Sequence, residues 1–161
     1  MLKKNTTCIV CFALVLVFSL MLCVSAEDSN YVRFTRLSRM NSDGSFTFTF
    51  HYSCPSDKFV ANESSIRIDT SAKIYHIANA SNVYTDSSQK FRLTLYKDSF
   101  FGESEVGSYV GCANGVYGGK TFSGISVGST YYFKIEPVEY DFDQTGYYFT
   151  GYGNVSNVTL K

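Results

Sequence analysis

The chain has 161 residues, and its 14 basic and 14 acidic side chains cancel. Without a basic excess there is no electrostatic footprint for nucleic acid, and the length supports one domain with a real core. Two histidines and five cysteines, with no pair at finger-like spacing, do not make a zinc site.

In chain order, Lys3 and Lys4 precede an apolar run from Cys8 to Val24 that is broken only by Ser19. Val24-Ser25-Ala26 closes the run, and Glu27-Asp28 follow. A basic start, an apolar stretch and a small-residue exit read as a signal peptide over 1–26, cleaved after Ala26. The expected location is extracellular, with a single domain over 27–161. The rival reading is a membrane anchor over 8–24, because a run of about 17 residues lies at the short end of what spans a bilayer. Bulky Leu22 stands where a lipoprotein at Cys23 would need a small residue. Cleavage removes both lysines and three cysteines, leaving twelve basic against fourteen acidic side chains.

Cys54 and Cys112 are the two cysteines that remain. In an exported domain they are expected to pair. The loop so closed holds about 59 residues, worth roughly 4 kcal/mol on the chain-entropy model. The alternative is two buried thiols.

Alternation then dominates. Tyr31 to Leu37 reads as a strand, followed by turn chemistry at Asn41-Ser42-Asp43-Gly44. Phe46, Phe48, Phe50 and Tyr52 alternate with Thr47, Thr49 and His51, the period of a strand with one buried face. Further strands are expected at 64–69, 72–79, 91–96, 105–110, 119–125, 131–136 and 153–160, with turn-rich stretches at 53–63, 79–90, 98–104 and 111–119. Eight or nine short strands predict an all-β antiparallel sandwich. With 14 Phe, 13 Tyr and no Trp, aromatic rings must supply much of its core.

The stretch from Thr121 to Ile135, with Ile125, Gly128, Ser129, Tyr131, Phe133 and Ile135 at their spacings, resembles a fibronectin type III domain. The resemblance implies an immunoglobulin-like sandwich in which Tyr131 is the tyrosine-corner residue, its hydroxyl tied to backbone near the preceding strand. Phe91 to Leu95 is similar to the family's strand C, and the stretch from Gly153 through Val158 and Leu160 to its last strand. Phe50 stands where the family has a Trp, and residues 53–88 form an insert that bears on the strand order.

Chemistry-bearing patterns are few. There is no Gly-x-Ser-x-Gly elbow, and neither His51 nor His76 sits in a catalytic signature, so no enzyme is expected. Glu139, Asp141 and Asp143 alternate, so an extended backbone aims all three carboxylates one way. They are the candidate Ca²⁺ ligands, although Tyr152 stands where an EF-hand loop needs its bidentate Glu. No other cofactor is indicated. Tyr147, Tyr148, Phe149 and Tyr152 follow, too many rings for alternation to bury. They are the candidate contact residues, within a loop read as spanning 138–152 and helped by the loop after Cys112. After the signal segment, Asn-x-Ser/Thr acceptor sites occur at Asn62, Asn79, Asn154 and Asn157. The expected function is a secreted or cell-surface, non-catalytic binding or adhesion module that recognises an extracellular protein through 138–152. The alternatives are a carbohydrate-binding domain using exposed tyrosines, or a secreted effector. Membrane contact is expected only if the signal stays uncleaved.

Overall fold

A computed structural model describes residues 36–37, 39–76, 83–84, 89–138 and 147–161, within the compact unit Thr35–Lys161. The signal segment 1–26, the acceptor Asn79 and the carboxylates Glu139, Asp141 and Asp143 lie outside the described residues.

Twelve strands run in chain order among those residues: β1 Arg36–Leu37, β2 Ser45–Phe50, β3 Cys54–Pro55, β4 Phe59–Ala61, β5 Ser65–His76, β6 Val83–Tyr84, β7 Lys90–Ser99, β8 Gly102–Cys112, β9 Gly118–Ser123, β10 Thr130–Pro137, β11 Tyr147–Ser156 and β12 Val158–Leu160. They make two antiparallel sheets. The first has the order β1-β2-β11-β5-β6, with β9 also on β5. The second has the order β12-β4-β10-β7-β8, with β3 also on β10.

Each sheet turns one face inward because its strands alternate. Phe46, Phe48 and Phe50 of β2 are buried while Thr47 between them is exposed. Leu93 and Leu95 of β7 and Phe133 and Ile135 of β10 answer from the other sheet, fully buried. Rings join the layers directly: Phe46 meets Phe133 at 4.9 Å between centroids, and Phe91 meets Phe149 edge-on at 6.3 Å. Tilted and edge-on pairs at these spacings suit the ring quadrupoles. The expected turn at 41–44 is present. The Gly44 amide donates to the Asn41 carbonyl at 2.8 Å, and Asp43 Oδ1 accepts from the Ser45 amide and hydroxyl at 2.9 and 2.7 Å.

The antiparallel sandwich is as expected, and the insert explains its strand order. Residues 53–63, read as a turn, contain β3 and β4, while the two strands expected at 64–69 and 72–79 run together, as far as His76, as one twelve-residue strand, β5. The pairs β2·β11, β4·β10, β5·β9 and β7·β8 are nested one inside the next. That is the connectivity of a jelly roll. The counterpart of strand C, β7, does lie beside β10, and the tyrosine corner is formed: the Ser126 amide donates to the buried Tyr131 hydroxyl at 2.9 Å. In an immunoglobulin-type sandwich the last strand stays in the sheet of C and F. Here β11 pairs with β2 and β5, and only β12 joins the β10 sheet. The chain changes sheet at Asn157, whose φ of 69° lies in the left-handed region that Asn tolerates. Its side-chain amide donates to the Ser65 carbonyl at 3.3 Å. The fibronectin type III resemblance thus holds coarsely, as a two-sheet sandwich with a tyrosine corner.

Candidate functional site

The segment read as a loop over 138–152 is described at Val138 and from Tyr147 onward. From Tyr147 onward it is β11, hydrogen-bonded to β2 on one side and β5 on the other. Its inward positions are Phe149, Gly151, Gly153 and Val155. Gly151 and Gly153 lie opposite Phe48 and Phe46. A Cβ on Gly151 would come within 2.5 Å of the Phe48 ring and 2.1 Å of the Ser71 carbonyl oxygen. The two glycines let the β2 rings fold over the strand backbone, and this fixes which β11 side chains face out.

Phe149 is therefore not a contact residue. It is fully buried and stacks on Phe50 at 5.1 Å. Tyr148, Thr150 and Tyr152 share the opposite face. Tyr148 is half-buried, its ring 5.3 Å from that of His51. Tyr152 is 55% exposed. Of Tyr147 only the backbone is described, opposite His76.

Around Tyr152 the face is polar and ordered in rows. Thr47 and Ser71 flank it across the strands, and Thr49 and Lys73 flank Thr150. The Thr49 and Thr150 hydroxyls are 3.3 Å apart. One row on, Asp69 receives both arms of Arg67 at 2.7 Å, and Arg67 also reaches the Thr121 hydroxyl at 3.3 Å.

The loop after Cys112 is strapped onto this face. The Ser71 hydroxyl donates to the Gly115 carbonyl, the Gly115 amide to the Ala72 carbonyl, both at 2.8 Å, and the Val116 amide to Asn114 Oδ1 at 3.0 Å. These bonds deliver Tyr117 to Tyr152. The two rings lie nearly parallel, 18° apart, with centroids at 5.8 Å, and Tyr117 is 50% exposed. Partial desolvation raises the Tyr117 hydroxyl pKa above the ordinary tyrosine value, and the negative charge of Asp69 adds to this. The Tyr117 phenol therefore stays a neutral donor at physiological pH. The pattern missed Tyr117 because it stands in a Gly-rich turn, where alternation carries no signal.

The expected disulfide is not formed. Cys54 and Cys112 are free thiols. Cys54 lies opposite Ile135 of β10, Cys112 opposite Lys90 of β7, and β10 and β7 stand between their strands. Three inter-strand steps of about 4.8 Å each put their strands roughly 14 Å apart, already twice the ~7 Å limit for a bridge. Burial pushes the Cys54 thiol up to about 12, far from a reactive thiolate. Among the described residues no three His, Cys, Asp or Glu side chains are placed to hold a metal ion.

No protein-family model matches the chain, and no curated protein matches it. Solved structures similar to it include a family two carbohydrate esterase from Cellvibrio japonicus, at 9% identity and TM-score 0.37, covering 79% of this chain. The chain spans only 31% of that esterase. A CBM4 structure is similar at 12% identity and TM-score 0.40 over 79% of this chain and 78% of its own. PirA is similar at 10% identity and TM-score 0.40, over 71% of this chain and 94% of its own. Several further similar structures are carbohydrate-binding modules.

Proposed function

We propose that the protein is an exported carbohydrate-binding module that takes a glycan on the outer face of the β2-β11-β5 sheet, over Tyr117 and Tyr152. The observation that carries this reading is the exposed, near-parallel tyrosine pair set among fixed polar groups. A pyranose ring has an apolar C–H face and a rim of hydroxyls. The ring face stacks on an aromatic surface, and the rim needs donors and acceptors at fixed positions. The rows of Thr47, Thr49 and Thr150 and the Arg67–Asp69 pair supply both kinds. Export is supported by the basic start, apolar run and small-residue exit of residues 1–26. A grip on an extracellular protein through 138–152 is less well supported, because Phe149 belongs to the core and 147–152 to the sheet.

The test is a glycan array with the purified protein, with and without Ca²⁺, followed by calorimetric titration of the best hit. Tyr117→Ala and Tyr152→Ala are each expected to weaken binding about tenfold or more, equivalent to about 1.4 kcal/mol, without lowering the melting temperature. An array without hits in either condition, or alanine variants that bind like the parent protein, would sink the reading.

A further inference from the structure

The β7–β8 hairpin carries an apolar knob. Its turn places Phe100 and Phe101 98% and 97% exposed, edge to face at 5.5 Å. The turn is closed by the Ser99 hydroxyl, which donates to the Gly102 carbonyl at 2.7 Å. Tight turns favour Gly, Asn, Asp and Ser because these meet their backbone demands. Two phenylalanines meet none of those demands, and they bury nothing in their own domain.

The far end of the same strand borders a hole. Among the described residues, β8 and β9 are neighbouring edges of the two sheets. The slot between them is closed at one end, where Lys120 Nζ donates to the Ser108 carbonyl at 2.9 Å and stands over the Phe122 ring. At the other end it opens into a pocket of roughly 310 Å³, lined by Thr70, Phe91, Tyr109, Val110, Val116 and Gly118 among others. The Thr70 and Tyr109 hydroxyls bond each other there, so these two polar groups are already partnered. Gly118 keeps the pocket open: it lies opposite inward-facing Thr70, and a Cβ on it would meet nothing within 4 Å. A cavity of about 150 Å³ holds one benzene ring, so the pocket has room for two.

We propose that copies of this chain associate head to tail, the Phe100–Phe101 tip of one copy entering the slot between β8 and β9 of the next. Knob and hole sit at opposite ends of β8, so the contact is heterologous and does not close on itself, which builds linear chains of subunits. Charge is arranged to match among the described residues. Asp98, Glu103 and Glu105 lie behind the knob, with Lys97, opposite Ser104, offsetting part of their charge, while Lys90 and Arg92 lie beside Cys112 and Val110 at the hole. Glu136, opposite Arg92, offsets part of that positive charge. The same acidic residues behind the tip repel an anionic bilayer, which makes a second copy the better occupant.

The test is sedimentation velocity over a concentration series. The parent protein forms species larger than a monomer as concentration rises. Phe100→Asp with Phe101→Asp removes the knob, and Gly118→Trp fills the hole at a position where the fold has space. Each variant alone stays monomeric. Their mixture forms a one-to-one dimer and nothing larger, because only one intact knob and one intact hole meet. Circular dichroism and thermal melts matching the parent confirm that both variants fold. The inference is overturned if the parent stays monomeric throughout, if the Gly118→Trp protein assembles like the parent, or if the mixture fails to pair. It is likewise overturned if the knob instead carries monomers onto zwitterionic vesicles. The glycan reading does not enter this test, and titrating the array hit into the knobless variant separates the two: glycan binding there is expected to be unchanged.

Discussion

The two outer sheet faces each carry a stacked tyrosine pair, and they differ in what those tyrosines have left to give. On the β10-β7 sheet, Tyr96 and Tyr132 stack at 5.2 Å, only partly exposed, and the Tyr132 hydroxyl donates to Glu103. Around them Lys58 pairs with Asp98 at 2.7 Å and Lys134 with Glu136 at 3.2 Å. That face satisfies itself. On the β11-β5 sheet, Tyr117 and Tyr152 are half exposed and present ring surface rather than spending it. An aromatic pair alone is therefore a poor marker of a binding face; its partners decide.

The sharpest way to break this contrast is to cut beneath one face. Phe149→Ala, next but two to Tyr152 in the chain yet in the core, is expected to cost about 3–5 kcal/mol of stability, measured by chemical denaturation. Were it instead to leave stability intact, the assignment of β11's two faces would be wrong. A smaller effect is expected at the tyrosine corner. Tyr131→Phe leaves the Ser126 amide unpartnered in a part-buried site, costing about 1–2 kcal/mol with glycan binding unchanged.

Tyr132 offers a pH test of the self-satisfied face. Burial, then the hydrogen bond to Glu103 and its charge, hold the Tyr132 pKa well above the ordinary tyrosine range. A folded pKa raised above the unfolded one means the stabilisation is fully present below about pH 10. It is lost as pH rises from there through the folded value. Tyrosinate absorbance should show a late ionisation, above the ordinary tyrosine range, and Tyr132→Phe should remove that late step without touching glycan binding. The smallest effect is expected for Lys58→Ala. It removes an exposed ion pair worth about 0.5 kcal/mol or less, and that little should fade in high salt.

Some of the molecule was legible because alternation records which side of a strand meets water. Phe46, Phe48 and Phe50 against Thr47 and Thr49 required a one-sided sheet, and the resemblance to fibronectin type III implied at Tyr131 a corner that the structure contains. The pattern failed where neighbours override it. In Tyr147–Tyr152 every second side chain still reads as a ring or a small residue, and only pairing with β2 shows that Gly151 and Gly153 are inward positions roofed by phenylalanines. Cysteine counting failed likewise. Two cysteines in one domain suggest a bridge, but their strands have β10 and β7 between them.

By itself, then, the sequence determined the class of the fold, its aromatic core, its turns at 41–44 and 98–104, and the basic-apolar-small start expected to direct export. These are local properties: period, turn chemistry and composition act over a few residues. The tertiary structure alone decided the nested strand order, the two free thiols, and the meeting of Tyr117 with Tyr152, 35 positions apart in the chain. It also set the knob at Phe100 and the hole at Gly118 at opposite ends of one strand. Those depend on which distant strands share hydrogen bonds. Pairing partners are selected by the burial of the whole sandwich, so no short stretch of sequence contains them.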